Sequence, residues 1–146
     1  MANQAWSALP SKAVLLPADI IAVLDTAAAN ANKRSTVRAI VNPAITSLTT
    51  SGTPAPNVDT TDLYVLTALT QTATFGTPTG TPVHGQRLEI QIYSAGAQTL
   101  DFTNSAYVAL GVVLPTTTVA GKWTYLMLQY NLTATKWHVI GVAQEE

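Results

Sequence analysis

The chain has 146 residues, a net charge of −1 and no cysteine; 47% of its residues are hydrophobic and only 10% are charged. The length predicts one main domain with a core large enough to fold without staples, and the missing cysteines exclude a disulfide framework and a thiolate metal site. No basic stripe is present, which excludes nucleic-acid binding through phosphates.

The low charge also predicts an assembled protein. Soluble domains average roughly 25% charged residues, so a neutral, threonine-rich surface indicates that other subunits cover much of it. The alternative is a secreted or structural β-protein with a Thr/Ser/Gln surface.

Residues 1 to 16 hold a few large apolar side chains among small polar ones, without a clear period. We interpret them as an extended arm that docks on another protein, because alone the segment cannot offset its ordering entropy; the alternative is a frayed terminus. No signal peptide and no membrane span is expected. The predicted partner-binding residues, in the arm and in the basic cluster that follows it, are Trp6, Leu9, Leu15, Leu16, Lys33, Arg34 and Arg38.

Residues 19 to 41 carry a mixed signal. The alanine run favours a helix from Pro17, whereas Ile20, Ile21 and Val23 favour a strand. We predict a strand over 19–25, a loop closed by Asn30 to Lys33 and a second strand over 34–41, with the helix as the alternative.

The composition predicts a division of the chain into three segments. Residues 1–45 form an N-terminal module, residues 46–57 a Thr/Ser/Pro-rich linker, and residues 58–146 a β-domain.

The β-domain alternates between apolar runs and turns. The clearest strand is 87–93, in which Leu88, Ile90 and Ile92 share one face. A turn at 94–97 predicts a hairpin that returns over 98–102. Further strands are predicted over 62–69, 71–75, 122–130 and 136–143, with an irregular segment over 107–114. The whole predicts an all-β fold, an antiparallel β-sandwich of jelly-roll type with an extended N-terminal arm.

Candidate catalytic groups are few. His84 lies in a turn and His138 on the last strand, without a nucleophile nearby in sequence, so both are interpreted as structural. Asp59 and Asp62 lack the spacing of a calcium loop, and Trp123 and Trp137 are expected in the core. We expect no enzymatic activity, no catalytic residue, no metal and no cofactor.

Both faces of the last predicted hairpin are partly apolar. A sandwich buries one face, so the other must meet a second surface. We predict a homo-oligomer, with coverage by the chain's own N-terminal arm as the alternative. The predicted oligomer face consists of Tyr125, Met127, His138, Ile140 and Val142.

Four segments resemble the C-terminal β-domain of fibre and head-decoration proteins of tailed phages. Their most specific points are Gly85-Gln86-Arg87, within a "dGqr" turn, and Lys136-Trp137, within the closing strand. The similarity extends over roughly 58–143, although the glycine-rich stretch and tryptophan often found after the equivalent of Phe102 are missing. The segments are 62–69, 82–92, 99–102 and 131–140. Residues 19–25 and 33–37 are also similar to the virion-attachment segment that opens many phage appendage proteins.

The resemblance implies a structural protein of the virion, assembled in the host cytoplasm, frequently a homotrimer and without enzymatic activity. A capsid decoration or short head-fibre protein that docks on the major capsid protein or another virion protein is the favoured expectation. The alternative is a tail-fibre or adhesin-type module that binds a receptor or host-surface glycan.

Overall fold

The computed structural model describes residues 20–25, 31–36 and 43–146. The chain divides into two units, Met1–Asn42 and Pro43–Glu146, which are described separately. The described residues form strands, turns and loops, so the all-β prediction is confirmed for them. In this part of the chain there is no helix that could span a membrane.

The first unit contains a β-hairpin. Strand β1 (Ile20–Asp25) pairs antiparallel with β2 (Ala31–Thr36), and Ile20 lies opposite Thr36. The preference for strands over a helix is therefore confirmed, as the β-branched residues of β1 favour. The predicted loop boundary is wrong, because Asn32 and Lys33 lie inside β2, where ladder pairing overrides the turn tendency of asparagine.

The second unit is built on a six-stranded sheet with the order β3-β4-β6-β9-β10-β8. A separate two-stranded sheet pairs β5 with β7. The strands are β3 (Ile45–Leu48), β4 (Leu63–Leu66), β5 (Ala73–Thr74), β6 (Arg87–Ser94), β7 (Leu100–Asp101), β8 (Tyr107–Ala109), β9 (Lys122–Asn131) and β10 (Lys136–Gln144).

The large sheet is mixed, so the expectation of a wholly antiparallel fold is wrong. Strands β3, β4 and β6 run parallel to one another, and β8 runs parallel to β10. Only β6, β9 and β10 are antiparallel neighbours. The connections 49–62 and 67–86 explain the difference, because a long connection lets the next strand enter in the same direction, whereas a tight turn forces it to reverse.

The predicted hairpin between 87–93 and 98–102 is also wrong. Strand β6 already has β4 on one side and β9 on the other, so it offers no free edge to β7. Strand β7 instead lies parallel to β5, with Leu100 beside Ala73. Thr99 forms a bridge to Thr117 on the other side.

Residues 46–57, expected to be a linker, contribute to the second unit. Most of β3 falls within them, and its Thr46 hydroxyl is 2.6 Å from the Thr61 hydroxyl. Pro54 is fully buried, and its carbonyl accepts a hydrogen bond from the Gly76 amide at 2.9 Å. The segment is therefore paired and hydrogen-bonded within the second unit.

A single hydrophobic core joins the two sheets. Leu88, Ile90 and Ile92 are buried in it, as the alternation of β6 predicts. Next to the small sheet, the rings of Phe75 and Phe102 stack with centroids 4.2 Å apart. The ring of Tyr107 meets the Phe102 ring edge-on at 5.6 Å. This arrangement suits the quadrupoles of aromatic rings and ties β8 to the strands around β5 and β7.

The last hairpin, β9 and β10, is confirmed, and it contains a bulge. Val139 lies opposite Leu128 but Gly141 lies opposite Met127, so Ile140 is an extra residue in β10. The insertion shifts the alternation by one position. Val142, predicted on the same face as His138 and Ile140, consequently lies opposite Leu126 and packs against the core.

Candidate functional site

The large sheet has one face packed on the core and a second face, which we call the outer face. Its positions follow from the register of the central strands, since Glu89 lies opposite Met127 and Gln91 opposite Tyr125. The alternation of a strand sends these side chains away from the core. The outer face consists of Ile45, Ser47, Leu63, Val65, Arg87, Glu89, Gln91, Tyr93, Val108, Trp123, Tyr125, Met127, Gln129, His138, Ile140, Gly141 and Ala143.

The middle of the outer face is aliphatic and exposed. Met127 is 56% exposed and Ile140 is 47% exposed. Together with Asp62, Arg87 and Glu89 they line a concavity of about 520 Å³. An apolar floor with charges of both signs at its rim is typical of an interaction surface. We call this concavity the aliphatic pocket.

One end of the outer face carries an aromatic row. The ring of Trp123 lies between those of Tyr93 and Tyr125, at centroid distances of 5.3 and 6.3 Å. The expectation that Trp123 lies in the core is wrong, because its register opposite Tyr93 places it on the outer face, where it is half-buried. Trp137 does lie in the core. Next to the row, the Gln91 amide donates to the Glu89 carboxylate at 2.7 Å.

The opposite end of the outer face holds both histidines of the chain. His84 and His138 line one small cavity of about 140 Å³, together with Gln129 and Asn131. The backbone amide of Leu132 donates to His84 Nδ1 at 3.2 Å. No carboxylate lines this cavity, so within it neither histidine has the acidic partner that would orient it as a general base. We call it the histidine cavity.

The loop that carries His84 is anchored by Asp59. Its carboxylate accepts hydrogen bonds from the amide and the hydroxyl of Thr81, at 2.8 and 2.9 Å. These two bonds lower the pKa of Asp59, the one from the amide most strongly. Asp59 is therefore a structural anchor of the loop. Among the residues that the structure describes, no group of three or more His, Cys, Asp or Glu side chains could hold a metal ion.

On the core side, Tyr107 is held by burial and a hydrogen bond. Its hydroxyl donates to the Gly76 carbonyl at 2.9 Å, and burial raises its pKa. The raised pKa disfavours ionisation, so this phenol is a structural donor.

The predicted site residues fall into three groups. Tyr125, Met127, His138 and Ile140 lie together on the outer face, whereas Val142 does not. Lys33 and Arg34 lie in β2. Trp6, Leu9, Leu15, Leu16 and Arg38 lie outside the described residues.

The predicted oligomer face omits several members of the outer face. Arg87, Tyr93 and Trp123 belong to it through the register of β6 and β9. The alternation around Ile90 gave the face of Arg87 and Tyr93, but pairing with β9 was needed to bring Tyr93 beside Trp123. Ile45, 61% exposed, lies at the end of the predicted N-terminal module, and the composition around it gives no sign that it joins the large sheet.

Comparisons with protein-family models, with curated proteins and with solved structures found no match to this chain.

Proposed function

We propose that this chain is a structural protein of a tailed-phage virion, a capsid decoration or short head-fibre protein that docks on neighbouring subunits through its outer face. The observation that carries the proposal is the exposed aliphatic pocket, with Met127 and Ile140 on its floor, in a chain of which only 10% is charged. An exposed apolar floor with charges of both signs at its rim is suited to docking on another protein surface. The resemblance of 58–143 to fibre and decoration domains gives the proposal its virion location.

The neighbour we propose is another copy of the chain, in a homotrimer, with the major capsid protein or another virion protein as the further partner. The rim of the aliphatic pocket supports contact between copies, because Arg87 stands beside Asp62 and Glu89. In a trimer the contact between copies is heterologous, so the Arg87 side of the rim on one copy can meet the Asp62 and Glu89 side of the rim on the next.

The charge distribution supports docking by the N-terminal module. Residues 1–42 contain four cations, Lys12, Lys33, Arg34 and Arg38, and two carboxylates. Residues 43–146 contain three cations and six carboxylates. A basic module on one copy is thus suited to an acidic surface on a neighbour.

For the fold, we propose that the two sheets are the layers of a jelly-roll-like sandwich. The support is the shared core, in which Ala73 and Leu100 of the small sheet join Ile90 and Leu126 of the large sheet. The small sheet would be the shortened second layer.

Light scattering of the purified chain over a dilution series tests the function. We expect a trimer that dissociates on dilution, and at least a tenfold weaker association for Met127→Lys, because a charge in the pocket must be desolvated on docking. Val113→Lys is the matched control: Val113 is 87% exposed and lies in the connection between β8 and β9, outside the strands of the large sheet. A monomer at all concentrations, or equal effects of the two variants, would contradict self-docking.

The aromatic row favours a second candidate function, binding of a host-surface glycan. Aromatic rings with polar groups beside them are suited to ligands that have apolar faces and hydroxyl edges, and here the Glu89–Gln91 pair lies beside Tyr125. An array of host-surface glycans tests it. We expect binding that is lost in Tyr125→Ala and kept in Met127→Ala; an array without any bound glycan would exclude this candidate.

A further inference from the structure

We propose that the histidine cavity is a binding site for a single small oxyanion, a carboxylate or a phosphate group. This inference does not depend on the proposed virion role or on the aliphatic pocket. It rests on two features of the cavity, the tautomer of His84 and the orientation of Asn131, and on the cations at the neighbouring strand positions.

The hydrogen bond from Leu132 fixes the tautomer of His84. Because the Leu132 amide donates to Nδ1, that nitrogen carries the lone pair, and the proton of the neutral ring lies on Nε2. His84 therefore offers the cavity a donor. The same bond disfavours a metal ion, since a histidine that binds a metal through Nε2 commonly donates from Nδ1.

Asn131 supplies a second donor. Its Oδ1 accepts a hydrogen bond from the Ala134 amide at 3.1 Å, within the turn between β9 and β10. This bond identifies the other atom of the amide group as the NH₂, which keeps its donors for the cavity. Gln129 is held in the opposite sense, because its amide nitrogen, not its oxygen, makes the bond, donating to the Gly85 carbonyl at 3.4 Å; the donors of the cavity are therefore those of His84 and Asn131.

The cations of the second unit concentrate at the same place. Arg87 lies opposite Gln129, and Lys136 lies opposite Asn131. Lys122, at the far end of β9, is the one other lysine or arginine in residues 43–146. Neither cation lines the cavity, and Arg87 also lines the aliphatic pocket with Asp62 and Glu89. Both nevertheless stand at strand positions paired with cavity residues, and the lining of the cavity holds both histidines and no carboxylate. Donors and positive charge without an acid favour an anion.

The cavity's size limits the ligand. A volume of about 140 Å³ admits one carboxylate or phosphate group and little else. An extended anionic polymer is disfavoured, because the surrounding unit is acidic and lacks a basic stripe.

The test is a titration of the full chain at neutral pH, in which two-dimensional amide NMR spectra are recorded at each concentration. Separate series use sodium acetate, inorganic phosphate and, as the ionic-strength control, sodium chloride. We expect saturable shifts of the Leu132 and Ala134 amide signals with acetate or phosphate. The series that saturates at lower concentration identifies the preferred group.

Asn131→Asp is the decisive variant. The aspartate keeps an oxygen for the Ala134 amide but replaces the donating NH₂ by a negative oxygen, so we expect affinity to fall at least tenfold. Lys136→Gln, at a half-buried strand end, should weaken binding severalfold, whereas Lys122→Gln, also half-buried, should leave it unchanged.

Three results would overturn the inference. They are shifts that never saturate and equal those in chloride, an Asn131→Asp variant that binds like the parent, and saturable binding of Zn²⁺ with none of either anion. If Asn131→Asp alters the whole spectrum, the Lys136→Gln and Lys122→Gln pair decides: equal affinities for the anion would refute the site.

Discussion

Gly80 and Asp59 show how single residues set the loop that carries His84. Gly80 has a φ of 102°, and a Cβ built on it would lie 2.9 Å from the Asp59 carboxylate. That carboxylate is held by Thr81, the next residue. A side chain at position 80 would thus meet both a forbidden backbone conformation and a fixed neighbour.

Replacing Gly80 by alanine should therefore destabilise the protein more than the same change at Gly121. Gly121 has a φ of 72° but nothing within 4 Å of its built Cβ. Alanine at this position therefore costs only the strain of the left-handed backbone, about 1 kcal/mol. For Gly80→Ala we expect about 2 kcal/mol or more, because the contact adds to the backbone cost. Urea unfolding of the two variants measures the difference, and equal losses would show that the Asp59 contact relaxes freely.

Asp59 makes the free energy of unfolding depend on pH in the acid range. Its pKa is lowered in the folded protein by the hydrogen bonds from Thr81, so its contribution is fully present above the unfolded value of about 3.9. The contribution is lost as the pH falls through the lower, folded value.

In Asp59→Asn, the fall in stability between pH 5 and 2 should be shallower than in the parent, as seen by urea unfolding at each pH. Glu146→Gln, at an exposed position, is the control and should keep the parent's slope. An unchanged slope in Asp59→Asn would contradict a lowering of the Asp59 pKa by folding.

At the level of elements, one extra residue in β10 contributes to both the aliphatic pocket and the histidine cavity. Ile140 lines both the aliphatic pocket and the histidine cavity. The residues on either side, Val139 and Gly141, pair with consecutive residues of β9. The bulge therefore adds an apolar side chain to the outer face while the core keeps its alternation.

Deleting Ile140 should leave a regular ladder, because Val139 and Gly141 are already in register with Leu128 and Met127. We expect a folded protein within about 1 kcal/mol of the parent, with self-association weakened in light scattering. Deleting Val142 is the control. It would move Ala143 into the core position and cost about 2 kcal/mol, and equal losses for the two deletions would refute the assignment of the extra residue.

A comparison of β6 with β7 and β10 shows which parts of the fold could be predicted from the sequence. The burial of β6 was predictable because period-two alternation from Leu88 to Ile92 is a local signal. The partner of β7 was not, since which strand offers a free edge is decided by residues far apart in the chain. The bulge was hidden because Ile140 fits the apolar alternation with His138, and only the register reveals the extra position. The sequence shows His84 and His138 as separate residues, and their shared cavity could not be predicted without the pairing of β9 with β10.

At the scale of the whole molecule, the division at residue 42 predicts independent folding of the larger unit. The core cluster runs from Val58 to Val139 and so lies entirely within residues 43–146. A chain of residues 43–146 should unfold cooperatively with a Tm within a few degrees of that of the full chain, as measured by calorimetry.

Self-association distinguishes the roles of the two units. If the outer face alone joins the copies, residues 43–146 should form the same oligomer as the full chain. An oligomer that needs residues 1–42 would assign the contact to the N-terminal module. A fragment that fails to fold would contradict the independence of the larger unit.

The central place of β9 in the large sheet has a consequence for the order of folding. Strands β6 and β10 are joined only through β9, which ends at Asn131. During synthesis on the ribosome, the edge of β6 that pairs with β9 stays open until β9 has been made, even after β3, β4 and β6 are complete. Closure of the sheet thus depends on contacts between distant parts of the chain, which fold slowly and leave an aggregation-prone intermediate. We therefore expect refolding over milliseconds to seconds, and a synthesis pause before residue 122 would prolong the vulnerable stage.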